Sequence, residues 1–397
     1  MNKNLVRAAL FVIALQSPLL ADRKFTDCGK GQGLNAALQH LSDGDTLMFT
    51  GVCRENVSIS TSGIVLIGQN GATIAPPKQT ADALTVSGAQ RVTLQNITVQ
   101  NGINGLHLTG GASVTLQNIT AQSNAVDGML VEGSSSAYIA GSSAVNNGLD
   151  GLDVENTSSA IFNGNFLAQS NLVFGINLGT TSSATVNAAT VTADQNTLGI
   201  QVSVTSSWFL SNPGAAVVTN NNATVGLTVV SGSHLFAFGG TISTSGNGLD
   251  GFDIASRSGM DLDAGTQATA NNNLRDGIHA EELCLVNLFN NPQFSGNPAF
   301  TAVTLQNNAG NGISLQNNSQ LHMFDQARII ANNNTGFGIQ ADNGSSMTLL
   351  NSTIQSNPTD VNLTFASRGE FTGNTIGTLT CDATSLIRGD TGTTCPH

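Results

Sequence analysis

The chain has 397 residues, including 44 Gly and only 8 Pro, and 13 basic against 25 acidic residues leave a formal charge of −12. Charged residues are 10% of the total, against roughly 25% in an average globular protein, which speaks against a helix bundle. Lys78 is the last lysine, so the basic face that nucleic acid requires is missing.

The chain opens with Lys3 and Arg7, the apolar run Ala8–Leu15 and a small-residue site at Leu19-Leu20-Ala21. This pattern predicts a signal peptide over 1–21 and hence a secreted, extracellular or periplasmic protein. No later apolar run is long enough to span a bilayer. Residues 22–54 read as an N-terminal cap. Leu34, Ala37, Leu38 and Leu41 have helical spacing, so an amphipathic helix is expected over Gly33–Leu41. Asp43-Gly44-Asp45 then reads as a turn and Thr46–Thr50 as the first strand. Export permits disulfides. Among the five cysteines, Cys28 with Cys53 and Cys381 with Cys395 are the natural staples at the two ends. Cys284 is left as a buried or free thiol.

From residue 105 onward one phrase recurs: Gly, apolar, any residue, apolar. It stands at Gly105-Leu106-His107-Leu108, Gly151-Leu152-Asp153-Val154, Gly251-Phe252-Asp253-Ile254 and Gly277-Ile278-His279-Ala280, among ten copies. The intervals between the glycines are 23, 23, 24, 24, 27, 25, 26, 35 and 26 residues. Weaker copies flank them at Ala83-Leu84-Thr85-Val86 and Val361-Asn362-Leu363-Thr364. Four residues before the glycine stands an Asn (101, 124, 147, 171, 222, 247, 273, 308 and 334), with Asn357 holding the same place before Val361. One coil departs, with Gln195. Stacked amides of this kind are expected to bond one another in a buried ladder. Two-residue alternation marks strands, and stretches such as Ser113-Val114-Thr115-Leu116 and Asn118-Ile119-Thr120 supply a second and third strand per repeat. A coil of three short strands stacked on the next at ~4.8 Å follows, right-handed by the crossover rule.

These repeats resemble the right-handed parallel β-helix superfamily, the pectate-lyase-like fold. The resemblance implies an all-β solenoid over 55–375 of about twelve coils, roughly 55–60 Å long, with residues 376–397 as a C-terminal cap or tail. It is specific for fold and weak for activity, because the superfamily hosts lyases, hydrolases, epimerases, adhesins and tailspikes.

The 35-residue interval contains an insertion over about Glu281–Phe300, with Phe289, Phe294 and Phe300, and a smaller one follows Ser207-Trp208-Phe209. Solenoid insertions collect on one side and often line the binding face; the plainer reading is a phenylalanine cluster folded on itself. Trp208 and Tyr138 are the only Trp and Tyr, a scarcity that speaks against sugar stacking.

The second and fourth residues after each glycine point outward, on the sheet that in this superfamily commonly forms the substrate groove. Two ionisable groups lie there. The first holds Asp127, Glu132, Asp150, Asp153 and Glu155. Like charges in adjacent coils repel unless a cation intervenes, which makes Glu132, Asp153 and Glu155 candidate calcium ligands; a solvated acidic stripe is the plainer reading. The second holds Asp250, Asp253, Arg275, Asp276, His279, Glu281 and Glu282. Asp253 and His279 share a column in adjacent coils, an arrangement suited to acid–base work. Arg275 is placed to act as a base or to bind a uronate carboxylate, and Asp276 is the further candidate acid. The alternative is Asp-Gly turn chemistry. The polygalacturonase and mannuronan-epimerase signatures are missing, as are a nucleophile elbow and a phosphate loop. Three functions stay open: a secreted protein binding extracellular polysaccharide or another cell-surface partner through this acidic sheet; a polysaccharide lyase or glycoside hydrolase acting at Asp253, Asp276 and His279; or a structural, adhesin-like spacer.

Overall fold

The computed structural model describes residues 23–290, 300–389 and 395. The expected leader over 1–21 lies outside the described residues. Nearly all of the regular secondary structure is parallel β-strand. Fourteen strands, one per coil, form a narrow sheet, and 26 strands, one in the first coils and two with a bend between them in most others, form a wide sheet that wraps the other sides. Alternation drives this. In Leu152–Val154 the two apolar side chains are buried and Asp153 lies outward. The same phase holds along the rod, with Ile313 completely buried.

The coil count is fourteen rather than the expected twelve. The extra coils come from the ends, where Val57–Ile59 and Leu379–Cys381 extend the narrow sheet. Of these, Leu379–Cys381 lies in the region read as the C-terminal cap or tail, which therefore carries a rung of the solenoid itself. At the start, Arg23–Asp27 adds an unforeseen strand, pairing in parallel with Thr46–Thr50. The cap helix is shorter than expected, Leu34–Leu38, and Leu34, Leu38 and Leu41 bury their side chains against the first coil. Its Gly33 N-cap has no side chain to offer. The Glu55 carboxylate does that work instead, accepting from the backbone N–H of Leu34 and from the Asn35 amide at 2.9 Å. Disulfides join Cys28 to Cys53 and Cys381 to Cys395. Among the described residues no helix is long and apolar enough to cross a membrane.

The asparagine column is a continuous ladder: 124, 147, 171, 196, 222, 247, 273, 308, 334 and 357. Each backbone N–H and each side-chain amide donates to Oδ1 of the next Asn, as from Asn247 to Asn273 at 2.9 and 3.1 Å. Two sequence expectations need correction. In one coil the turn before the glycine is a residue shorter, so Asn196 takes the rung (Asn171 N–H to Asn196 Oδ1, 2.8 Å) and Gln195 stands in the left-handed turn before it. Asn101 likewise sits in that turn, and the backbone of Gly102 makes the first rung with Asn124 at 3.1 Å.

The glycine and asparagine columns require each other. A Cβ on Gly128 would lie 2.6 Å from Asn147 Nδ2 and 2.7 Å from the Gly151 carbonyl oxygen. Only a residue without a side chain lets the next amide close in. A second ladder runs through Ser135, Ser158, Ser182, Ser206, Ser233 and Ser258, where each backbone N–H donates to the next hydroxyl. Cys284 occupies the following rung, and its own N–H donates to Ser319 Oγ at 3.3 Å. The odd cysteine is thus a buried stand-in for serine, and burial raises its pKa.

Replacing fully buried Asn247 by Ala would strand the N–H and the amide of Asn222. The expected loss is roughly 2–4 kcal/mol, one to two unsatisfied buried donors, read from urea unfolding. A loss below about 0.5 kcal/mol would mean that the ladder does not carry load.

Candidate functional site on the narrow sheet

Register puts one outward side chain per coil into a single column: His107, Leu130, Asp153, Asn177, Gln201, Thr228, Asp253, His279, Ser314, Gln340 and Asn362. Both ionisable groups lie along it.

The residue just before each glycine forms a further ladder beside this column. Asp127 Oδ1 accepts the Asp150 N–H at 3.1 Å, and Asp150 Oδ1 accepts the Phe174 N–H at 3.0 Å. Asp250 Oδ1 accepts from Asp276 at 2.9 Å, and Asp276 Oδ1 accepts from Asn311 at 2.6 Å. These aspartates hold the turn, as the Asp-Gly reading of the sequence supposed.

In the first group, burial pushes the carboxyl of Asp127 up to about 6 and that of Asp150 to about 7. Asp153 reaches about 8 through burial and the neighbouring Asp127, although the Asn177 amide donates to it at 3.0 Å. Glu132 is turned the other way. Its Oε1 lies 2.9 Å from His107 Nε2, while Asp82 Oδ2 lies 2.7 Å from His107 Nδ1. The Asp82 hydrogen bond, helped by Glu132 and opposed by burial, raises the His107 pKa. Burial pulls Asp82 upward, and the hydrogen bonds from His107 and Asn104 together outweigh it, leaving Asp82 lowered. Among the described residues no three His, Cys, Asp or Glu groups are arranged to hold a metal ion. Glu132, Asp153 and Glu155 as placed do not make a calcium cage. Sequence reasoning missed the Asp82–His107–Glu132 bridge. The signal was present, since His107 fills the outward place of its repeat and Asp82 precedes a weak copy.

In the second group, Arg275 clasps the fully buried Asp250, with Nε 2.7 Å from Oδ1 and Nη2 against Oδ2. This pair raises the pKa of Arg275. Asp276 Oδ2 lies 3.3 Å from His279 Nδ1, and Glu281 Oε2 lies 3.7 Å from His279 Nε2. Burial works against the imidazolium, but the Asp276 contact and the charges of Asp250 and Asp276 together override it, and the His279 pKa is raised. Asp253 pairs in register with His279. Burial, then Asp250, raises its pKa against the pull of His279 and Arg275. The structure thus brings Arg275, Asp276, His279 and Asp253 together. Asp250 and Asp276 already have their oxygens engaged.

Two aromatic expectations change. Trp208 is completely buried in the core against Phe162, at 5.9 Å between ring centroids, and offers no surface to a sugar. The large insertion lies between Leu285–Leu288 and Ala302–Gln306, two strands of the wide sheet. The smaller one, between Ser207–Leu210 and Ala216–Val218, sits at the same bend. Both insertions leave the solenoid at the same bend of the wide sheet, not at the edge of the narrow sheet that carries His279. Residues 291–299, with Phe294, lie outside the described residues. Phe289 stacks on Phe324 of the next coil at 4.9 Å, and Phe300 lies 4.4 Å beneath the Arg328 guanidinium. The aromatic rings therefore pack on neighbouring coils.

The raised carboxyls set the pH dependence. Their folded pKa values lie above the ordinary 3.8, so their contribution is complete below about 4 and is lost as pH rises through about 6 to 8. His107 and His279, also raised, act in the same direction. Thermal melts should give a higher Tm near pH 5 than near pH 8.5. Asp153→Asn keeps the Asn177 bond and removes the charge, so at pH 8.5 it should stabilise by ~1–3 kcal/mol and flatten the profile. A variant less stable than the parent at that pH would contradict this, and an EDTA-reversible loss would instead place a cation among these carboxylates.

Solved structures similar to the chain include pectate lyase Pel9A, at 14% identity over 68% of this chain and 76% of that one, with a TM-score of 0.43. ORF18 of Geobacillus virus E2 matches at 13% identity, over 77% and 62% of the two chains, with a TM-score of 0.47. The A-module of the Azotobacter vinelandii mannuronan C-5 epimerase AlgE6 matches at 13% identity, over 90% and 93%, with a TM-score of 0.40. These likenesses concern the path of the chain. No curated protein sequence matches. The family model described as the right-handed beta helix region matches residues 49–237 and 293–383, most of the solenoid, and the chain belongs to that family.

Proposed function

We propose that this is an exported β-helix protein that binds an extracellular polysaccharide, or another extended cell-surface partner, lengthwise along its narrow sheet. The observation that carries the reading is the outward column itself. A straight row of outward side chains, polar except at Leu130, repeats at ~4.8 Å, from His107 to Asn362. Such a row matches a polymer lying along the rod better than a small molecule in a pocket. The two disulfides accord with export.

Binding is favoured over catalysis because the acidic groups are largely occupied. Asp250 is clasped by Arg275, and Asp276 holds a backbone N–H and faces His279. One observation keeps a second reading in play. Asp253 has a raised pKa and stands beside His279, the combination a lyase or glycoside hydrolase needs for proton transfer, with Arg275 and Asp276 orienting the pair.

The two readings separate in one experiment. The protein is mixed with a panel of neutral and acidic polysaccharides, and bound protein, reducing ends and unsaturated uronate are all measured. The binding reading expects retention on at least one polysaccharide without turnover. Turnover abolished by Asp253→Ala and by His279→Ala would hand the site to catalysis. Retention on none of the panel would remove the polysaccharide.

A further inference from the structure

Along the outward column nearly every polar side chain has a partner. The Asn177 amide donates to Asp153 at 3.0 Å, and the Gln201 amide donates to Asn177 at 3.3 Å. Past the gap, His279 faces Asp276 at 3.3 Å, Ser314 accepts from Gln316 at 3.1 Å, and Gln340 accepts from Asn311 at 3.4 Å. Asn362 accepts from Thr380 at 2.8 Å. Between Gln201 and His279 two polar residues lack such partners. Thr228 and Asp253, adjacent in register, make no side-chain hydrogen bond among the described residues.

The two gaps differ in kind. Asp253 is half-buried and titratable. Thr228 is only 5% exposed, and its Oγ1 is a buried hydroxyl without a partner. Such a group costs free energy that a valine of the same shape would not. A buried unsatisfied hydroxyl therefore calls for an explanation. A χ1 step between staggered wells moves Oγ1 without moving the backbone, and reading a ligand on the outer face requires a well in which the hydroxyl faces it.

The surroundings indicate what is read there. Asp250, Asp276 and Glu281 stand around the pair, and the guanidinium that acts on Asp253, Arg275, is already clasped by Asp250. A polyuronate would bring its carboxylates against this acidic surface. A sugar hydroxyl both donates and accepts, so it complements a carboxyl and a threonine hydroxyl together. We propose that Thr228 and Asp253 form a subsite reading a pair of adjacent hydroxyls on a neutral hexose chain, with Thr228 as the specificity-determining residue. This rests on the polysaccharide-binding reading above and names the class of polymer within it.

The test uses the intact protein with cellohexaose, laminarihexaose, mannohexaose and, as the anionic control, hexagalacturonate, measured by titration calorimetry alongside sugar-free thermal melts. The parent should bind a neutral hexaose at least tenfold more tightly than hexagalacturonate. Thr228→Val should raise the sugar-free Tm and weaken neutral-hexaose binding roughly tenfold, the worth of one good hydrogen bond. Thr228→Ser should restore binding. A lower Tm for Thr228→Val would mean that the hydroxyl already serves the fold, and an unchanged affinity would mean that it does not meet the sugar; either overturns the subsite. A parent that prefers hexagalacturonate overturns the neutral-polymer assignment while leaving polysaccharide binding standing. A parent that binds no hexaose, yet is retained on a longer polysaccharide, overturns the subsite alone. Retention on neither overturns both.

Discussion

Every coil of this protein must hand its backbone and buried polar groups to the next coil, and the asparagine ladder is where that demand is most confined. An amide inside the turn has nothing but its neighbours to bond. Each Oδ1 accepts both a backbone N–H and a side-chain N–H from the preceding coil, so the amide dipoles all run one way along the rod. Aligned dipoles reinforce one another, and the chain of acceptors has to end somewhere. It ends on Asp360, whose Oδ1 accepts both donors of Asn357 at 3.0 and 2.9 Å while Oδ2 accepts from Thr378. A carboxylate suits that position, because it only accepts and its charge faces the donor end of the amide chain.

The same register governs the outer face, at a different cost. Just before the glycine, Asn104 and Asn311 receive the next coil's N–H through a neutral amide, while Asp82, Asp127, Asp150, Asp250 and Asp276 do so through a carboxylate. The hydrogen bond is equivalent, but the charge must also be balanced. Asp82 has His107 and Asp250 has Arg275. Asp127 and Asp150 are clasped by no such cation among the described residues, and burial raises their pKa values. The two acidic groups read from the sequence are thus alike in their backbone role and unlike in their counter-ions.

The glycine, apolar and asparagine spacings were legible because each reflects contact with an identical neighbour one coil away. What the spacing concealed followed from local departures. A turn one residue shorter moved the rung from Gln195 to Asn196 without altering the composition of the stretch. The terminal coils lack the glycine phrase, so Val57–Ile59 and Leu379–Cys381 did not stand out as rungs. Arg23–Asp27 pairs along its backbone while Phe25 remains exposed, so its side chains do not alternate as a buried strand's would. Trp208 falls on the inward phase of its strand, and a strand-by-strand phase assignment of the second face would have placed it in the core. Of the candidate site, the proximity of Asp253 and His279 was readable from the column they share. The partners that occupy Asp250, Asp276 and Glu132 were not, because they depend on which way each side chain turns.

That distinction bears on how function is sought in a repetitive fold. Conspicuous acidic residues are poor candidates when their oxygens already hold the next coil in place, since a group that must accept a backbone N–H is not free to move a proton or follow a ligand. Thr228 and Asp253 are less conspicuous, an ordinary threonine and one aspartate among many. They are nevertheless the polar residues of the outer column whose side chains make no hydrogen bond among the described residues. In a structure that satisfies its polar groups by repetition, an exception of this kind gives up stability locally, and a polar group that the fold does not use remains available to a partner.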